Sequence, residues 1–458
     1  MATRLSIDEL DFGDSAADHE ASLSNYFYQN QLFETACEPR VCLVLGEKGA
    51  GKSAIWRMME DRSQGIPALA NPNFFVATLA NLREHSQLLR SKLPASVSPV
   101  TLWKFYFASI AALTLLETSR GAEAEFLQKF VDHWELNAQK FPTFLGTVKL
   151  PLKIVEVELK RAGIAAPNPL QLQEVFAIAN RILSQDSRTL WIAIDELDKV
   201  AINGDATRDQ PTEVLAALMQ THSELFPLDR IRFKLFMRSD IYEELTYVDK
   251  DHFTNSILRL KWQSEDLTIM LALRISASTG QDSGPLRLAE ARNLIDDLFD
   301  WPRELGSFDK VLGELRDGRG SVTPRDLLNF AIKARQAQKR FESFGINAPS
   351  RGIISSASVE EGLKGASQAK LDDFLTTFPN IHKRFVNLQG HSSYDLPRKE
   401  LQALLNIPEA LNLNLALEEF WRIGAIGKKG NKPVHLTDEF LVPPIYRRAL
   451  NLIEGQEL

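Results

Sequence analysis

The stretch Val41-Cys42-Leu43-Val44-Leu45-Gly46-Glu47-Lys48-Gly49-Ala50-Gly51-Lys52-Ser53 decides how the rest of the chain is read. Its first five residues form a short apolar run that ends at glycine, the pattern of a strand buried on both faces. The next eight follow G-x-x-x-x-G-K-[ST]. Beyond them, Ile55, Met58 and Met59 recur at helical spacing. Strand, glycine loop and helix together are the context in which this pattern cradles phosphate. Glycine lets the loop wrap closely with backbone angles denied to other residues. A helix starting near Gly51 aims free N–H groups and its positive dipole end at the anion. The expected nucleotide contacts are therefore Gly46, Glu47, Lys48, Gly49, Ala50, Gly51, Lys52, Ser53 and Ala54. Lys52 reaches the β- and γ-phosphates, and the Ser53 hydroxyl is a ligand for Mg²⁺.

Outward from the loop, the next strong signal is Leu190-Trp191-Ile192-Ala193-Ile194-Asp195-Glu196. A buried strand ends in two acids, the Walker B pattern. Asp195 is placed to hold Mg²⁺ through water, and Glu196 to polarise the attacking water as catalytic base. Asp198 and Lys199 form either a local ion pair or a switch on the γ-phosphate. A further strand, Arg232 to Met237, ends at Arg238-Ser239-Asp240. Arg238 either reads the γ-phosphate or pairs with Asp240 or Glu243. Ser256 to Trp262 reads as the strand that closes this domain, with Arg259 and Arg232 as weak candidates for a trans arginine finger.

Composition frames these motifs. The 458 residues are 44% hydrophobic and 25% charged, ordinary globular values with ample material for a core. The net charge of −7 and pI near 5.8 exclude a wholesale nucleic-acid coat, though not a local basic patch. Cys37 and Cys42 read as reduced thiols of a cytoplasmic protein. The histidines lack metal-ligand spacing. No apolar signal segment opens the chain, and the longest apolar run, Phe107 to Leu116, is too short to span a bilayer, so no membrane is expected.

Four parts follow. Residues 1–40 are an arm, acidic at first and then aromatic at Tyr26-Phe27-Tyr28 and Phe33, expected to lie over the nucleotide domain or to touch adenine. Residues 41–262 are the P-loop core, with a second strand at Phe74 to Leu79 and an insertion over about 85–175. That insertion includes helices at Leu102 to Leu116 and Ala122 to Leu136 and an edge strand at Val148 to Ile154. Residues 263–345 are helical. There Thr323 caps a helix and Pro324 takes its first position. Arg325 then sits in the first turn, where a cation opposes the dipole and calls for an anion. It either reaches the nucleotide or pairs with Asp326 or a neighbour.

Residues 346–458 differ in kind. Helices lead to two short apolar runs around Gly430-Asn431, a hairpin after helices, as in a winged helix. Lys428, Lys429 and Lys432 on the wing suit phosphate contact with double-stranded DNA. Glu418 and Glu419 on the preceding helix oppose base reading. Protein contact is the alternative.

The order of Walker A, Walker B with Asp195-Glu196, the Arg238-Ser239-Asp240 tip, the tryptophan-led lid at Trp262 and Pro324-Arg325-Asp326 resembles AAA/STAND-related bacterial P-loop ATPases. Within that class it is similar to a KAP-like, origin-recognition-like family often found in anti-phage defence islands. The resemblance covers about 5–345. It implies an α/β fold, a P-loop NTPase parallel sheet flanked by helices with a helical lid. It also implies hydrolysis of ATP with Mg²⁺, Arg238 and Arg325 as γ-phosphate sensors, a homo-oligomer, and action in defence. Arg238 departs from the uncharged polar residue usual in AAA members. The alternative is a slowly hydrolysing, nucleotide-gated switch that regulates an effector protein.

Overall fold

The computed structural model describes residues 6–60, 74–79, 98–116, 119–133, 169–195, 197, 209–247, 250–278, 280, 285–346, 349, 352–407 and 413–452. The chain divides into two compact units. One comprises residues 29–47 and 52–260, the other residues 1–28, 48–51 and 261–458.

The first unit is built on a five-stranded sheet. In chain order its elements are α1 (Gln31–Cys37), β1 (Leu43–Gly46), α2 (Lys52–Glu60), β2 (Phe74–Leu79), α3 (Pro99–Leu116), α4 (Ala122–His133), α5 (Pro169–Gln185), β3 (Thr189–Ile194), α6 (Asp209–Leu225), β4 (Ile231–Arg238), α7 (Ser239–Glu244) and β5 (Ile257–Arg259). The strand order is β2-β3-β4-β1-β5, and every pairing is parallel. Parallel strands covered on both faces need continuous apolar runs, and β1 and β3 supply them; β4 is buried too but carries Arg232 and Lys234. Because all strands point the same way, their carboxyl ends share one edge of the sheet, where α/β proteins bind ligands. β4 separates β1 from β3, and Ile194, Leu235 and Leu43 lie level across the three.

The insertion contributes core in the form of helices. α3 is buried along most of its length, with Trp103, Phe107, Ile110 and Ala111 in the cluster that includes Leu43, Ile192 and Leu235. It is long and apolar enough to cross a membrane by length and composition, which the expected run of Phe107 to Leu116 understated, because the helix starts at Pro99. The strand expected at Val148 to Ile154 lies outside the described residues. A lysine sits inside this core. Lys234 of β4 is fully buried, donates to the carbonyls of Glu38 and Val41, and lies 4.5 Å from the Trp191 ring centroid. Burial pushes its ammonium down to about 7. Both cysteines are free and buried, and burial pushes the Cys37 thiol up to about 12.

The second unit is helical, with α8 (Ser264–Ser278), α9 (Leu288–Leu298), α10 (Phe308–Glu314), α11 (Pro324–Ser343), α12 (Ser356–Thr377) and α13 (Pro379–Phe385), then β6 (Asp395–Pro397), α14 (Arg398–Leu404), α15 (Leu413–Arg422), β7 (Gly427–Lys428) and β8 (Glu439–Leu441). The caps are chemical. Thr323 Oγ1 accepts from Asp326 N at 3.3 Å with Pro324 at the first position, and Ser355 Oγ accepts from Ser358 N at 3.3 Å. The antiparallel sheet β6-β8-β7, interleaved with α14 and α15, makes the C-terminal part a winged-helix-like fold.

Two sequence expectations change here. The arm divides: residues 1–28 belong to the helical unit, where Ile7, Leu10 and Phe12 are buried and Phe12 stacks on Phe299 with centroids 6.5 Å apart, and residues 29–40, with buried Phe33, belong to the sheet unit. Apolar side chains in an acidic segment set the place of the first part. The hairpin's second arm is Glu439–Leu441. The apolar run expected after Gly430-Asn431, Val434–Leu436, is a 3₁₀ turn, because Pro433 and the Thr437 hydroxyl, which bonds Pro433 O at 2.9 Å, curl the chain first.

Candidate functional site

In the sheet unit, β1 carries its buried run to Gly46, which lies in register with Arg238 at the tip of β4. Lys52 opens α2, and its Nζ donates to Gly46 O at 3.0 Å and Glu47 O at 2.9 Å. The lysine is thereby folded over its own loop. Trp56 Nε1 donates to Ala193 O at 3.4 Å, tying α2 to β3. Asp195 follows β3 directly and is only 4% exposed. Ser53 and Ala54 lie half-buried in the first turn of α2. Arg238, also 4% exposed, grips Asp240 with both arms, Nη2 to Oδ2 at 2.6 Å and Nε to Oδ1 at 3.0 Å. Of the pairings expected for it, the one with Asp240 is formed. Glu196, Asp198 and Lys199 lie outside the described residues. Arg259 reaches Glu243 at 3.3 Å, and Arg232 donates to Leu228 O.

In the helical unit, the loop tip is held from several sides. Gly49 and Gly51 adopt φ of +85° and +92°, left-handed angles that glycine alone takes at no cost. Arg325 N approaches Gly49 O at 3.4 Å, and a Cβ added at Gly49 would fall 2.7 Å from Arg325 Cβ. Trp262 Nε1 donates to Ala50 O at 2.9 Å. Lys48 Nζ donates to Asp373 Oδ1 at 3.0 Å and to Thr377 Oγ1 at 3.3 Å. The same carboxylate lies 3.6 Å from Arg325 Nη1. The anion that Arg325 calls for at its helix start is thus Asp373 of α12, since Asp326 is engaged by Lys370 at 2.8 Å. Burial works against the Lys370 ammonium, but Asp326, Tyr446 and Asp317 together outweigh it and the net shift is upward.

Sequence reasoning passed over Trp262 as a loop contact, and Asp373 and Thr377 altogether. Lys48 and Asp373 are 325 residues apart, and no motif links them. The tryptophan was visible only as the start of the lid.

The wing lysines are each engaged locally. Lys429 meets Asp395 at 2.8 Å and Glu439 at 3.5 Å, and both carboxylates raise its pKa. Lys428 lies 4.4 Å from the Trp421 ring centroid and donates to Lys432 O at 2.8 Å, while Lys432 stands 3.9 Å from Asp438. Nearby on α15 and the 3₁₀ turn, Leu415 is 68% and Leu436 55% exposed. Among the described residues, no group of three or more His, Cys, Asp or Glu is arranged to hold a metal ion.

No protein-family model matches the chain, and no curated protein matches it. Among solved structures, the chain is similar to the Aeropyrum pernix ORC2 protein in ADPNP–ADP complexes, at 15% identity and TM-score 0.40, covering 94% of this chain and 92% of that one. It is similar to the Aeropyrum pernix ORC1 protein in complex with DNA, at 13% identity and TM-score 0.36, covering 92% and 90%. It is also similar to CDC6P from Pyrobaculum aerophilum, at 11% identity and TM-score 0.35, covering 98% and 97%. Likenesses this faint leave the fold resting on the strand order and the loop described above.

Proposed function

We propose that the chain binds ATP with Mg²⁺ at Gly46–Ser53 and hydrolyses it, driving rearrangement of its lid and C-terminal domain. One observation carries this reading. A fully buried parallel strand runs into a loop with two left-handed glycines, and Lys52 at the next helix start bonds the loop's own carbonyls. Phosphate oxygens are stronger partners than those carbonyls for an ammonium. The start of α2, nine residues long, adds free N–H groups and a positive dipole end.

The donor set suits the cation. Ser53 offers a hydroxyl and Asp195 a carboxylate, both hard oxygens, and Mg²⁺ takes its remaining ligands from water and phosphate. When bound, held by Ser53 and Asp195, it would supply positive charge against the phosphates. Glu196, one residue beyond Asp195, serves as base for the attacking water. Arg238, paired with Asp240, and Arg325, 3.6 Å from Asp373, are the γ-phosphate sensors of this reading.

That bidentate hold on Arg238 favours a second reading, a slow switch that binds ATP and regulates an effector. For the C-terminal domain, we infer protein contact ahead of duplex DNA. The wing lysines are matched by local acids or an aromatic ring, and Leu415 and Leu436 stand exposed beside them.

Steady-state ATP turnover of wild type and Glu196→Gln, with and without duplex DNA, tests the reading. The expected result is wild-type turnover that falls about 100-fold in the variant while ATP binding persists. Near-zero turnover in both, with ATP retained, would replace hydrolysis by the switch.

A further inference from the structure

Asp373 stands at the meeting of two cations. Lys48 Nζ donates to its Oδ1 at 3.0 Å, and Arg325 Nη1 lies 3.6 Å from its Oδ2. The next residue, Phe374, is buried and forms ring contacts with Phe385 at 5.2 Å, Phe378 at 5.8 Å and Tyr446 at 6.0 Å. Two successive residues of α12 therefore face the phosphate loop and anchor the C-terminal aromatic core.

α11 and α12 are tightly joined elsewhere. A Cβ at Gly362 would fall 2.8 Å from Ala334 Cβ and 2.9 Å from Phe330 O, so the helices touch backbone to backbone. Lys370 and Asp326 form a second ion pair one turn before Asp373. The two pairs differ in kind. Asp326 is 5% and Lys370 15% exposed, whereas Lys48 and Asp373 are 38% and 37% exposed. Breaking a buried pair is costly, and exchanging a half-exposed one costs little. Lys370–Asp326 is a pivot, and Asp373 is the exchangeable end.

We propose that Asp373 is a surrogate anion that competes with the polyphosphate of bound nucleotide for Lys48 and Arg325. Nucleotide binding then releases the end of α12 and loosens the C-terminal aromatic core. This inference deepens the ATP reading above and rests on it. A triphosphate offers several charges and many acceptor oxygens against one carboxylate, so the exchange runs toward nucleotide.

Asp373→Asn keeps an acceptor for Lys48 and removes the charge, and Asp373→Glu restores it. ATP affinity is titrated with Mg²⁺ on all three proteins, and amide hydrogen exchange over residues 369–385 is followed with and without ATP. Asp373→Asn is expected to bind ATP about 3- to 10-fold tighter than wild type. Without ATP its 369–385 amides should exchange at the rate wild type reaches only with ATP, and Asp373→Glu should match wild type. If wild type binds ATP but Asp373→Asn binds equally, or ATP leaves wild-type exchange over 369–385 unchanged, the competition is overturned while the ATP reading stands. If wild type does not bind ATP, both fall. Should Asp373→Asn fail to fold by circular dichroism, wild-type exchange decides alone: faster with ATP supports the proposal, unchanged overturns it.

Discussion

Two loops of this chain are written in nearly the same letters. Gly46 to Lys52 and Gly427 to Lys432 are both rich in glycine and lysine, and Gly49 and Gly430 even share a φ of +85°. Their frames separate them. The first loop leaves a buried interior strand of a five-stranded sheet and enters a nine-residue helix. The second hangs between strands of two and three residues, and its lysines meet Asp395, Glu439, Asp438 and Trp421. Lys52 bonds the backbone carbonyls of its own loop at the mouth of a helix, whereas Lys429 and Lys432 stand beside carboxylates on a short hairpin.

The sharpest way to break the comparison is turnover. Lys52→Ala should lower ATP turnover about 1,000-fold, as removal of one preorganised charge does. Lys428→Ala should change it by less than about twofold. Similar losses at both lysines would erase the distinction between the loops.

Acid stability probes the frame of the first loop. His222 of α6 is 1% exposed among Phe226, Phe233 and Phe253, and burial holds its pKa down at about 4. The unfolded chain takes up that proton first, near pH 6.5. Its stabilising contribution is therefore whole above about pH 6.5 and is lost as pH falls toward 4, by up to about 3 kcal/mol. Urea unfolding at pH 7 and pH 5 should show this loss in wild type and a flatter acid limb in His222→Leu. Parallel curves would assign the acid sensitivity elsewhere.

The two glycines with one φ give a smaller effect. Gly430 has open space around a would-be Cβ, so Gly430→Ala should cost about 1 kcal/mol, the left-handed penalty alone. Gly49→Ala adds a 2.7 Å clash with Arg325 Cβ and should cost about twice as much. Equal thermal shifts would mean that Arg325 yields freely.

The smallest change is expected at the wing. Replacing Lys428, Lys429 and Lys432 together by alanine should alter the log–log salt slope of any duplex binding by less than about one, against nearly three for three phosphate contacts.

How much was legible follows the same division. β1 and β3 could be read because a parallel strand buried on both faces leaves a continuous apolar run, β4 from its apolar residues despite Arg232 and Lys234, and the loop because phosphate binding fixes glycine spacing. α11 was legible from Thr323 and Pro324, which cap locally. The first part of the arm, residues 1–28, was misplaced because its acids masked the burial of Ile7, Leu10 and Phe12. The second strand of the wing slipped because a 3₁₀ turn and a short strand share the same apolar letters. Asp373 left no trace at all, since an acid on a helix gains meaning only from the distant lysine it faces. Local chemistry is written in sequence, and partners hundreds of residues apart are not.

The most direct measurement is a calorimetric titration of the full chain with ATP and Mg²⁺. The account predicts one ATP per chain for wild type and loss of that binding in Lys52→Ala. Absence of binding by wild type up to millimolar ATP, or undiminished binding by Lys52→Ala, would contradict it.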